Sequence, residues 1–537
     1  MASSGLVLLP AEILALVVSH LSNNDVKSLR LTCKRVHAKT KLRLDRVFLS
    51  ANPRDVQVFR AVADDDTFRH GIVEIIWDDA VIQDTAREHD GTEYNVYEAD
   101  EDEEEEYPGV PPWFSRACEK NNFELRSRYI DDVLDRPERA LSAQLPVHES
   151  WERFQEWRAE QRRVITTGAD VAAFRYGLAR FPSLRTITVT PSMHGYNIGH
   201  PLYDTPAIRS FPPGFNYPLP RGWPTAGEAE PPVEMLPWAD EDGGTEAYRD
   251  RWHGFRIVLR ELAKQTDSQR VLELNLDAHQ LTTGINCRIF ESPNPEYDQF
   301  VSLLRQPGFR RLDLALSVGA QEHFGWPAFR SALLKRALSK IGQDLTHVSL
   351  STDVDLDIPD MEWIDDPDGH HIPLLGAIFP VDRWPRLCHF GLSRFLVTRA
   401  DLLSLLAALP PTLRSVELGN LKFLDEGGHW RGLLEDIRDC LEWRDRPAQD
   451  RPRVTLHDAE IDGERRPGRE VWLEAAVAEF LYRNGENPFG QSGCHRGQID
   501  KGQGGVVRDA FDPEYERPHV ILGELSRLGY IKGNFQR

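Results

Sequence analysis

FRRLDL at 309–314, LTHVSL at 345–350, LCHFGL at 387–392 and LRSVEL at 413–418 share one pattern: apolar, two free positions, apolar, free, apolar. The alternation that ends each segment is the mark of a short strand with one buried face. Outward from this block, the same spacing occurs as Leu44-Val47-Leu49, Ile72-Ile75-Trp77, Leu184-Ile187-Val189 and Val271-Leu274-Leu276. A ninth candidate, Val454-Leu456, carries Arg451 where the first apolar residue should stand. The first positions step by 28, 112, 87, 38, 36, 42 and 26 residues.

In a chain with 40 % apolar residues, three such matches arise by chance about once in every 16 positions. The weight therefore rests on what lies between them. Segments 248–265, 297–306, 326–341, 398–409, 430–443 and 469–483 carry apolar residues at three- and four-residue spacing and read as helices. Strand–helix alternation implies parallel strands joined by right-handed crossovers, so the expected class is α/β. Strands every 26 to 42 residues resemble an irregular leucine-rich-repeat-like α/β solenoid, although the asparagine ladder of regular repeats is missing. An open α/β sheet is the alternative.

The two long steps hold insertions. Seven consecutive acids, Asp100–Glu106, lie in the first and read as a disordered surface loop or as a lure for a basic substrate. A helix is expected in ESWERFQEWRAEQRRVI, 149–165. Residues 201–240 in the second hold ten of the 36 prolines, interleaved with Tyr203, Phe211, Phe215, Tyr217, Trp223 and Trp238. Proline denies them a helix, and the rings serve either to pin the loop to the body or to anchor a partner. Residues 485–505 contain seven glycines, a flexible segment ahead of a short helix expected around 518–528.

Charge divides the chain. Residues 1–50 hold eight Lys/Arg against three Asp/Glu, net +5, which leaves -26 of the total -21 for the rest. An acidic body argues against nucleic acid as a main partner. The six cysteines, none closer to another than 52 residues, form neither a zinc pair nor a disulfide framework, and point to a reducing compartment. The apolar start lacks a basic n-region and carries Glu12, so it does not read as a signal peptide, and no stretch is long enough for a membrane span.

Within the first fifty residues, Pro10 opens a helix continued by Ile13, Leu14, Val17, Val18 and Leu21; Asn24 or Asp25 caps a second through Val26, Leu29 and Cys33. A third short basic helix runs through Val36, Leu42 and Leu44. Three helices in so few residues cannot bury their apolar faces alone. The string LPAEILALVVSHLSNNDVKSLRLTCKRV, with its L-P-x-E-I-L opening, D-V-x-x-L-R and T-C-K, closely resembles the F-box family over residues 6–50. That resemblance implies binding to a Skp-family adaptor and, through it, to a cullin–RING ubiquitin ligase. The positions it marks for the adaptor surface or the module's own core are Leu9, Pro10, Ile13, Leu14, Val17, Leu21, Val26, Leu29, Cys33 and Val36.

Catalytic motifs are scarce. GQSGC at 490–494 has the wrong spacing for a nucleophile elbow, and the glycines of 502–505 follow no expected strand. His370-His371 beside Asp365, Asp366 and Asp368 reads as turn chemistry rather than a metal site, and His194, His200 and Cys494-His495 lie in loops. The expected organisation is an F-box module at 1–50, a solenoid-like body at 51–484 with insertions at 85–125 and 191–245, and a Gly-rich tail at 485–537. Its expected role is a non-catalytic, cofactor-free substrate receptor of a ubiquitin ligase, cytoplasmic and/or nuclear, with a protein substrate on the body. A scaffold without ubiquitin transfer is the alternative, and an enzyme fused to an F-box a third.

Overall fold

A computed structural model describes residues 9–21, 23–82, 107–128, 136–224, 235–239, 246–265, 271–319, 321, 325–354, 374–424, 428–459, 468–489 and 505–518. Three helices come first: α1 (Ala11–Ser19), α2 (Asn23–Thr32) and α3 (Lys34–Lys39). A single, mostly parallel 13-stranded sheet follows, mixed with helices. Its strands are β1 (Arg46–Ser50), β2 (Glu74–Asp78), β3 (Thr186–Thr190), β4 (Glu273–Leu276), β5 (Ile285–Asn286), β6 (Arg311–Ser317) and β7 (His347–Thr352). They continue as β8 (His389–Val397), β9 (Ser415–Phe423), β10 (Arg453–Ala459), β11 (Arg469–Trp472), β12 (Val506–Asp509) and β13 (Asp512–Pro518).

The strands stand in chain order, with only the two-residue β5 off the path beside β6. From β1 to β10 the pairing is parallel, and the nine apolar patterns fall in register. Val47, Ile75, Ile187, Leu274, Leu312, Val348, Phe390, Val416 and Val454 form one row across the sheet. Two residues on, Leu49, Trp77, Val189, Leu276, Leu314, Leu350, Leu392, Leu418 and Leu456 form the next. Every member of both rows is buried. A residue just ahead of each strand, or in β10 its first residue because Pro452 has no N–H, adds a further rung: Val73 N–H donates to Asp45, Arg185 to Val73, Leu272 to Arg185, Arg310 to Leu272, Thr346 to Arg310, Cys388 to Thr346, Arg414 to Cys388 and Arg453 to Arg414, all at 2.7–2.9 Å. This backbone ladder satisfies the run-in peptides without side-chain asparagines.

Helices return between strands and touch one another in sequence, His253–Ala263 against Pro295–Leu304, Arg399–Ala408 against Trp430–Cys440, and Trp430–Cys440 against Glu474–Tyr482. Their buried residues share one core with the two apolar rows. Strand order that never reverses, combined with crossovers of one hand, keeps these helices on one face. The opposite face is polar: Arg46, Glu74, Thr186, Glu273, Arg311, His347, His389, Ser415 and Arg453 share one register row.

Several expectations are corrected. The sheet begins at Arg46, so the last five residues of the 1–50 module are its first strand. Residues 469–483 are not one helix: Arg469–Trp472 is a strand, held antiparallel between β10 and β12, and Glu474–Tyr482 is the helix. The 326–341 helix is broken into Pro327–Arg330 and Leu333–Leu338, with Ala332 between them at φ 62°. The tail expected at 485–537 supplies β12 and β13, and Pro518, placed in a closing helix, ends a strand; 519–528 lie outside the described residues. The helix expected at 149–165 runs Val147–Thr167.

Candidate protein-binding surface on the N-terminal helices

Pro10, with φ -52° and ψ 150°, stands immediately before α1, and its carbonyl accepts the Leu14 N–H at 3.0 Å. It thus sets the entry of the helix without needing a donor of its own. Leu14 and Val18, one turn apart on α1, pack on Val26 of α2, with Leu9, Leu21, Leu29 and Leu42 around them. Val36 is buried as well. Arg43 locks the bundle shut: its guanidinium donates to the carbonyls of Ser19 (2.7 Å) and Leu21 (2.6 Å), filling acceptors left over at the end of α1. The Asn23 amide pairs with the Arg43 backbone at both its N–H (3.1 Å) and its C=O (2.5 Å).

The positions marked by the resemblance therefore divide. Leu14, Val26 and Val36 are core; Leu9, Val17, Leu21, Leu29 and Cys33 are half-buried; Pro10 and Ile13 face solvent. Ile13 is 46 % exposed, Leu16 59 % and Leu31 87 %, three of the seven large hydrophobic residues left exposed among the described residues. Ile13 and Leu16 are three apart and so share one side of α1. Lys27, Lys34, Arg35 and Lys39 are exposed on the neighbouring helices. The small module thus leaves apolar side chains exposed beside a set of exposed basic ones. Sequence reasoning did not single out Leu16 and Leu31. The signal was there, since Leu31 is two residues from Leu29 and so opposite the face that meets Val26. A cleft of 680 Å³, lined by Leu21, Leu42, Leu44 and Phe68 among others, lies between the bundle and the turn at 67–71.

Elsewhere the singled-out residues are structural. His194 is buried, with Nδ1 3.0 Å from the Tyr217 hydroxyl and Nε2 3.9 Å from Asp78. Burial first, then the Arg221 charge, pushes it down to about 3, so its ring is neutral at physiological pH. Burial also holds Asp78 well above the carboxylate range. His200 is half-buried in the same loop and joins no metal-like cluster. Phe211, Phe215 and Tyr217 of the proline-rich segment pack with Trp113, Phe114, Trp151, Phe154 and Trp157 in a second core, while Trp223 and Trp238 enter the main one. In the described residues the rings pin that segment to the body. A second cleft, 710 Å³, opens between it and the Asn52–Arg54 turn.

The acidic run 100–106, the His370-His371 cluster with Asp365, Asp366 and Asp368, and GQSGC with Cys494-His495 lie outside the described residues. Among the described residues no group of three or more His, Cys, Asp or Glu could hold a metal ion, and no helix is long and apolar enough to cross a membrane. No model of a known protein family matches the chain, and neither does any curated protein.

Proposed function

We propose that this chain is a substrate receptor of a Skp–cullin–F-box-type ubiquitin ligase, docking on the adaptor through α1–α3 and presenting a protein substrate on an irregular leucine-rich-repeat-like solenoid. The observation that carries the reading is the exposed Ile13, Leu16 and Leu31 on a bundle whose sequence resembles the F-box. The solenoid part is supported by thirteen strands in nearly unbroken chain order with a repeated backbone ladder, since such an array grows by neighbour contacts alone. The mechanism is positioning: the partner is held beside a ubiquitin-charged enzyme carried by another subunit, which raises its effective concentration there.

Deleting residues 1–50 would remove β1, so the test uses point variants of the full chain. Ile13→Asp with Leu16→Asp should abolish capture of a Skp-family adaptor while the melting temperature stays near that of the parent protein. Undiminished capture would overturn the adaptor reading. Capture with no adaptor-dependent turnover of co-purified proteins would instead identify a scaffold.

A further inference from the structure

Asp509, at the end of β12, is buried between two guanidinium groups from distant parts of the chain. Arg128, 381 residues earlier, at the end of helix Pro112–Arg128, pairs with one oxygen, and Arg469 Nε of β11 donates to the other at 3.1 Å. The next residue, Ala510, offers its carbonyl to His279 Nε2 at 2.7 Å. Phe511 follows, buried, its ring 5.7 Å from those of both Tyr196 and His279 and 5.6 Å from the Arg128 guanidinium. His279 lies three residues past β4 and Tyr196 six past β3.

Along the sheet, β4 and β12 are separated by seven strand steps, or ~34 Å of arc. A 2.7 Å hydrogen bond between residues at their ends therefore requires the sheet to bend strongly. Because helices pack about 8–10 Å apart and strands only about 4.8 Å, a layer of helices on one face takes the longer, outer path of such a bend, which puts the polar row from Glu273 to Ser415 on the inside. The turn 509–511 closes this arc at the carboxyl ends of the strands.

Among the described residues the contacts that close the arc converge on one turn, whereas the strand pairing of β12 and β13 is with each other and with β11. The outer strand is mostly exposed and carries Pro513, Glu514, Glu516 and Pro518, residues that discourage edge pairing. By contrast β6 to β9 are held by continuous ladders and the shared core. A local contact of this sort opens at a lower free energy than the whole fold.

We propose that the hairpin 505–518 is a clasp: its turn holds the arc shut over the polar face and releases while the parallel strands remain paired, so that access to that face is controlled by the chain itself. The proposal is independent of the ligase reading, because it concerns only the contact of the C-terminal hairpin with the segments that follow β3 and β4.

Hydrogen exchange of the full-length protein tests it. In an Asp509→Asn, Phe511→Ala variant, amides of 193–200 and 277–283 should exchange roughly tenfold faster, small-angle scattering should report a larger radius of gyration, and β6–β9 should keep their protection. His279→Ala, which leaves both arginines and the hairpin in place, is the milder second variant and should shift the same two segments. Wild-type exchange at 193–200 and 277–283 in both variants would overturn the clasp. So would loss of protection across β6–β9 in both, since the contact would then be part of the global fold.

Discussion

The imidazoles of His347 and His389 stack across β7 and β8, ring centroids 4.0 Å apart and planes 7° from parallel. His347 Nε2 is 2.8 Å from Asp313, and His389 Nδ1 is 2.7 Å from the Ser415 hydroxyl. Two cationic rings so placed would repel, by about 4 kcal/mol at the effective dielectric of a protein surface. Burial, and then the His347 neighbour, accordingly pushes His389 down to about 4 from 6.5. The unfolded chain thus takes up this proton before the folded one does. The stabilisation tied to a neutral His389 is complete above pH ~6.5 and falls as the pH drops towards 4. A shift of this size is worth on the order of 3 kcal/mol. Melting curves from pH 7 to 4.5 should fall less steeply for His389→Gln than for the parent; equal slopes would refute the assignment.

Asp79 carries the opposite sign. Its carboxylate, set just past β2, accepts the Trp223 indole N–H at 2.8 Å and the Gly254 N–H at 2.6 Å, at the start of helix His253–Ala263. It therefore caps that helix from another part of the chain and ties down the proline-rich segment at once. Burial raises it to about 6 in spite of these donors. Here the folded state holds its proton more tightly, so this contribution is whole below pH ~4 and is lost as the pH rises through 6. Asp79→Ala should nevertheless cost about 2–4 kcal/mol at neutral pH, because it leaves unmatched the buried indole, the Gly254 N–H and the Phe255 N–H, which donates to the same carboxylate at 3.3 Å. Chemical denaturation measures it, and a loss below about 1 kcal/mol would mean that water or another acceptor takes its place.

The apolar spacing made β1–β4 and β6–β10 legible because each buried row recurs at one register, and burial on one face writes itself into the sequence with period two. The same logic failed where neighbours rather than pattern decide. Arg469–Trp472 has too few residues to declare a period, and its strand is imposed by β10 and β12 on either side. The break at Ala332 has no glycine to announce it. The contact of Asp509 with Arg128 spans 381 residues, and no local feature of either residue points to the other. On the N-terminal helices the apolar positions could be found, yet which face inwards depended on the lock that Arg43 places on α1.

Gly419 tests the packing between neighbouring strands. It pairs with His457 of β10, and a β-carbon on it would sit 1.9 Å from the imidazole Cε1. The ring cannot retreat, because Nδ1 is held 2.6 Å from the buried Glu470 carboxylate, which also accepts from Asn420 at 2.5 Å. One added methyl must therefore shift the buried His457–Glu470 hydrogen bond or spread two strands. Gly419→Ala should destabilise by about 2–3 kcal/mol, and a melting temperature within a degree or two of the parent's would show that the strands yield more easily than this geometry implies.

Ile13 and Leu14 are adjacent and should behave oppositely. Leu14, 2 % exposed, fills the small core with Val18 and Val26, and truncating it leaves a cavity in a bundle with little else to hold it. Leu14→Ala should cost about 2–4 kcal/mol of the local stability of α1–α3, seen as faster proteolysis and amide exchange within 9–40. Ile13, 46 % exposed, contributes little to that core, and Ile13→Ser should leave both within about 0.5 kcal/mol of the parent. Only the Ile13 variant separates docking from folding, because adaptor capture lost without any change in exchange has no structural explanation. If both variants loosen the bundle equally, Ile13 belongs to the core and the proposed docking surface must be redrawn around Leu16 and Leu31.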